Sequence, residues 1–191
     1  MTDERGRPRV GISRCLLGDE VRYDGGHKRD DVLVSTLESL VEFVAVCPEV
    51  EAGMGTPREP VDLVASDDGV TAGAARVRLL GVRSRTDWTE TMTTFSATRV
   101  RELLEQDLDG YVLKADSPSC GLEYVRVDRI GAVSRDGRGL FAQSLVKAFP
   151  DLPIEEERRL SDPAVRQEFI ARVFAHQRRR LSGPDTSFHE R

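Results

Sequence analysis

Cys15, Cys47 and Cys120 each follow a segment that reads as a buried β-strand, and each lies close to Gly or Pro. No C-x-x-C or finger spacing ties them locally, so only the fold can bring them together. A single cysteine in a chain of this size is ordinarily a small buried hydrophobe. Three at strand ends point elsewhere, because parallel sheets bind ligands beyond the carboxyl ends of their strands. Three thiolates meeting there would form a metal site with one open position. Zinc with three protein ligands and water is one such centre, although catalytic zinc more often takes histidine or carboxylate. Three thiolates without a fourth suit an iron–sulfur cubane in which one iron lacks a protein ligand and stays Lewis-acidic and thiophilic.

Polar residues beside the cysteines supply proton chemistry. Glu49, two residues after Cys47, is placed to act as a general base on water; a solvated loop carboxylate is its ordinary alternative. Ser117 could orient or protonate a substrate, with Ser119 and Asp116 as weaker candidates, against the common role of such residues in bonding their own turn. Arg58, Arg22 and His27 are candidates to hold an anionic or carbonyl-bearing ligand, or else surface charges and loop donors. The loops around Gly25-Gly26 and Gly53 to Gly55 lack the Lys-Ser/Thr that completes a phosphate loop. Arg178 to Arg180 complement the end of a helix macrodipole, and a contact to RNA phosphate is the lesser reading.

The elements that must position these residues alternate between strand and helix. Val10 to Ser13, Phe43 to Val46 and Tyr111 to Lys114 are short continuous apolar runs, as expected for strands covered on both faces. Asp30 or Asp31 caps a helix carrying Leu33, Leu37 and Leu40. Val61 to Ala65 and Val77 to Val82, flanking a turn at Asp67 to Gly69, predict a small antiparallel excursion. Asp87 with Glu90 resembles a capping box opening an amphipathic helix that carries Trp88, Met92, Phe95, Val100, Leu103 and Leu104. Further helices are expected from Leu140 to Phe149 and from Pro163, which sits in a first turn. The expected fold is α/β, Rossmann-like, with a mostly parallel sheet flanked by helices and a C-terminal helix.

A chain of 191 residues reads as one domain over 1–191, with a core over about 9–150, a helical extension over 151–181 and a tail over 182–191. A net charge of −5 gives no whole-molecule attraction to nucleic acid. No stretch approaches the ~20 apolar residues of a membrane span, and the charged N-terminus has no apolar segment of a secretory signal. An odd, scattered set of cysteines fits the reducing cytoplasm better than a disulfide framework.

Ser13-Arg-Cys-Leu-Leu-Gly18 with Val21-Arg-Tyr-Asp-Gly25, Cys47-Pro-Glu-Val50 with Gly53 and Pro57-Arg58, and Ser117-Pro-Ser-Cys-Gly121 together resemble the TudS-type thiouracil desulfidase family. The resemblance implies a Rossmann-like sheet with a [4Fe-4S] cluster on Cys15, Cys47 and Cys120, and catalytic roles for Glu49 and Ser117. The implied reaction is non-redox: the thiocarbonyl sulfur meets the open iron, Glu49 activates water, and Ser117 holds the substrate or transfers a proton. The products would be an oxo base and sulfide. Arg14 stands where a small residue is expected before Cys15. The sequence lacks the extra C-terminal domain of longer relatives that resemble enzymes of thiolated uridine in tRNA. A free thiouracil or a small thionucleoside is therefore favoured over tRNA. The competing readings are a metal- or cluster-binding sensor or carrier, and a metal-free α/β domain whose cysteines pack.

Overall fold

The structure, a computed structural model, describes residues 6–66, 76–129 and 132–182. Its centre is a four-stranded, all-parallel sheet in the order β2-β1-β5-β8. These strands are β1 (Arg9–Ser13), β2 (Glu42–Val46), β5 (Leu108–Leu113) and β8 (Ile154–Glu156). β1 and β5 are the inner strands and are almost wholly buried, which is why Val10 to Ile12 and Tyr111 to Leu113 read as continuous apolar runs rather than alternating ones. Gly11 allows the Tyr111 ring to lie flat on β1, since a Cβ at position 11 would stand 2.2 Å from that ring.

Helices cover both faces. On one face Val10, Ile12 and Val112 pack with Leu33 and Leu37 of α1 (Asp31–Leu37) and with Phe169 and Val173 of α6 (Pro163–Ser182). Asp30 caps α1, its side chain accepting the Leu33 N–H at 2.9 Å. On the other face Val44, Val46, Tyr111 and Leu113 meet Val100 and Leu103 of α3 (Thr89–Leu104) and Phe141 and Leu145 of α4 (Leu140–Ala148). Each fully buried side chain of this size contributes about 1.5–3 kcal/mol. Two short helices, α2 (Pro48–Glu51) and α5 (Glu157–Leu160), follow β2 and β8.

The antiparallel excursion is larger than the sequence suggests. β3 (Val61–Ser66) and β4 (Arg76–Gly81) pair antiparallel as expected, while the turn expected at Asp67 to Gly69 lies outside the described residues. β6 (Val125–Arg129) and β7 (Ala132–Gly137) join them to make a second four-stranded sheet, β4-β3-β6-β7. Met92 and Leu140 pack α3 and α4 against this sheet. The start of α3 also differs from a capping box: Trp88 occupies the cap position, and Asp87 accepts the Thr89 N–H at 2.9 Å. The helical extension expected over 151–181 contains β8, so it completes the central sheet. Residues 183–191 lie outside the described part. No helix among the described residues is long and apolar enough to cross a membrane.

Candidate functional site

β1, β2 and β5 all run in one direction, so their carboxyl ends share one edge of the central sheet. Strand order reverses about β1, with β2 on one side and β5 on the other, and such a switch point opens a crevice. A cavity of about 430 Å³ occupies it, and Cys15, Cys47 and Cys120 all line its wall.

Each cysteine is fixed by its own loop. Cys15 sits in a single 3-10 turn, Arg14–Leu17, after β1. The chain then doubles back, and the Lys28 N–H donates to the Cys15 carbonyl at 2.9 Å. Gly18 makes that reversal possible at φ 106°, a left-handed conformation costly for other residues. Cys47 is the cap residue of α2, with Pro48 in the first helical position. Glu51 accepts the Cys47 N–H at 2.8 Å and pairs with Arg99 of α3 at 3.1 Å. Cys120 lies in a turn closed by the Gly121 N–H bonding to the Ser117 carbonyl at 2.8 Å. The Pro118 and Ser119 carbonyls accept the first N–H groups of α4, which no intrahelical partner could satisfy.

All three thiols are free. Burial pushes the Cys15 thiol up to about 11, reinforced by the nearby Cys47 and opposed by Lys114 and Arg22. Burial likewise raises Cys47, and raises Cys120 furthest, with a hydrogen bond from Ser13 working in the opposite direction. A buried thiolate without a cation beside it is unfavourable, so these sulfurs ionise readily only against positive charge. Lys114 and Arg22 near Cys15, and Arg58 near Cys47, supply part of it. Among the described residues, no group of three or more His, Cys, Asp or Glu side chains is arranged to hold a single metal ion.

Glu49 and Ser117 reach the same cavity wall. The Glu49 side chain is only 13% exposed and forms an ion pair with Arg58, itself 7% exposed. Arg58 donates to Glu49 Oε2 from Nε at 2.9 Å and also from Nη2, while the Ser119 hydroxyl donates to Oε1 at 2.9 Å. Ser119 is fully buried behind Glu49, outside the cavity lining. The Ser117 oxygen accepts the N–H groups of Ser119 and Cys120 at 3.2 and 3.0 Å. Arg22 lies 5.2 Å from the centre of the Tyr23 ring, and both line the cavity. His27 is not brought to the cavity. Its ring is turned to the Arg29 N–H, which donates to Nδ1 at 3.1 Å. Arg14 is at the wall, with its guanidinium paired to Asp19. Lys114 has no signal in the sequence, because it closes an apolar run and looks like a strand-end charge. Its ammonium donates to Ala115 O at 3.0 Å and pairs with Glu157 of α5.

Fold and site together define an α/β protein with a thiol-walled cavity at its switch point and a carboxylate and a hydroxyl on that wall. The chain belongs to the 2-thiouracil desulfurase family, whose profile matches residues 10–157. It is 29% identical over 138 residues to the uncharacterised protein YbbK of Bacillus subtilis (strain 168), covering 72% of this chain and 89% of that protein. Its fold is similar to that of the [4Fe-4S]-dependent thiouracil desulfidase TudS, with a TM-score of 0.65 and 27% identity, over 85% of this chain and 99% of the solved one.

Proposed function

We propose that this protein hydrolyses the thiocarbonyl group of a small thiolated pyrimidine, converting C=S and water into C=O and sulfide without net oxidation or reduction. The single observation that carries this reading is that three cysteines, a carboxylate and a serine hydroxyl share one cavity wall. Cys15, Cys47 and Cys120 would hold a [4Fe-4S] cluster. The donor set fits it: thiolates are the usual cluster ligands, all three line one cavity, and a cubane takes each thiolate on a different iron. When bound, the cluster supplies a thiophilic Lewis acid at the iron that has no protein ligand.

The chain's own residues supply the rest. Glu49 takes the proton from the attacking water, as a general base within reach of whatever occupies the cavity. Ser117 acts as a donor. Its oxygen already accepts two backbone N–H groups, so its proton is what it offers to an acceptor atom of the substrate. Val21, Tyr23, Val46 and Pro48 give the cavity an apolar side against which a pyrimidine ring can lie. The reading is supported by family membership and by the likeness to TudS. Free bases or nucleosides are proposed over tRNA.

The test is anaerobic reconstitution with iron and sulfide, followed by 2-thiouracil, 4-thiouracil or 4-thiouridine with no reductant. Loss of the thione absorbance with equimolar sulfide release is expected. Iron-loaded protein that turns over none of the three would instead mark a sensor or carrier.

A further inference from the structure

The structure assigns Arg58 and Ser119 a joint role as positioning residues, which clamp the Glu49 carboxylate by its two oxygens and lock it to the cysteine loops. The inference rests on the desulfidase reading only for what Glu49 does, since the clamp itself is a matter of bonds. Arg58 approaches Oε2 with two donors, while its Nη1 is spent on the carbonyls of Gly55 at 2.8 Å and Val21 at 3.1 Å. A guanidinium has five N–H donors in a fixed fork, and this one has little left to offer a substrate. Its cationic form suggests a ligand-holding role, but its geometry turns it inward.

Ser119 completes the arrangement from the other side. Its hydroxyl donates to Oε1 at 2.9 Å, and its backbone N–H donates to Ser117 Oγ. Each of the three cysteine loops therefore reaches this carboxylate. The loop after Cys15 does so through the Val21 carbonyl on Arg58, the Cys47 loop carries Glu49 itself, and the Cys120 loop sends Ser119. A base so fixed keeps its direction relative to the bound cluster, and small misplacement of a reacting group is costly.

The prediction separates positioning from substrate contact. On reconstituted enzyme, Ser119→Ala and Arg58→Lys each lower kcat by about tenfold or more, with KM within about twofold and iron per chain unchanged, as expected for an interaction acting on the chemical step alone. In a Glu49→Gln background, adding Ser119→Ala changes kcat no further, because the group being positioned has gone. A rise in KM with kcat intact would make Arg58 or Ser119 a substrate contact and overturn the clamp, and so would loss of iron from Ser119→Ala. A second readout needs no turnover: in the same loaded proteins, the Tm losses of Ser119→Ala and Glu49→Gln are less than additive. Additive losses overturn the clamp even in an active enzyme. Coupled losses in a protein inactive on every thiopyrimidine uphold the clamp and reject the substrate reading.

Discussion

Two buried carboxylates stand at opposite ends of the central sheet, and both are held by an arginine. Asp109, at the amino end of β5, has a fully buried side chain. Arg180 of α6 donates to both its oxygens at 3.0 Å, the Arg9 N–H donates at 3.2 Å, and His176 lies 3.3 Å away. Glu49, at the carboxyl end, is gripped by Arg58 on one oxygen and by Ser119 on the other but keeps an edge on a cavity. One carboxylate ties the last helix to the sheet and is sealed; the other is presented. Pairing chemistry alone therefore does not distinguish the sealed carboxylate from the presented one. Position at the switch point and access to the cavity do.

The largest effect expected at the open end is from Cys15→Ser or Cys47→Ser. Either takes away a proposed soft ligand, so iron analysis of the reconstituted protein should show the cluster lost or short-lived. Next, Glu49→Gln keeps the iron content and loses about 10²–10⁴-fold in turnover, the usual worth of a general base. At the sealed end, Asp109→Asn should act on stability alone. Denaturant unfolding is expected to show a loss of about 3 kcal/mol, toward the low end for breaking a buried pair, because Arg180 keeps partial contact with solvent. Activity per loaded, folded molecule should stay unchanged, and a fall in kcat there would break the comparison.

The smallest effect concerns Asp116, which Arg158, then Arg135 and Lys114, hold below its ordinary value of 3.8. A depressed carboxyl contributes stability above its unfolded value and loses it as the folded state takes up the proton at lower pH. Unfolding followed below about pH 4 should therefore show a slightly shallower acid loss in Asp116→Asn. Because the group is largely exposed, the difference should stay under about 1 kcal/mol.

The cysteine edge was legible because Val10 to Ile12, Phe43 to Val46 and Tyr111 to Leu113 are short apolar runs just before the cysteine loops, and a parallel sheet brings their ends together. Glu49 and Ser117 were legible because they sit within three residues of a cysteine. β8 was not. It is three residues long and carries Glu155 and Glu156, which are buried against partners: Arg172 and Arg159 pair with the first, and the Leu122 N–H bonds the second at 2.7 Å. β6 and β7 hid behind their charged residues, Arg126, Asp128 and Arg129 in one and Arg135 and Asp136 in the other. The bond from Ser119 to Glu49 spans 70 residues of sequence, and no local pattern encodes it. His27, chosen for its loop, belongs to that loop's own hydrogen bonding.

The most direct measurement is sulfide release from 2-thiouracil, without reductant and under anaerobic conditions, by parent and Glu49→Gln protein matched for iron. Sulfide equimolar with uracil from the parent, and almost none from the equally loaded variant, is the predicted result. An iron-loaded parent that releases no sulfide, or a variant that matches the parent's rate, would contradict a desulfidase site built on these three cysteines and Glu49.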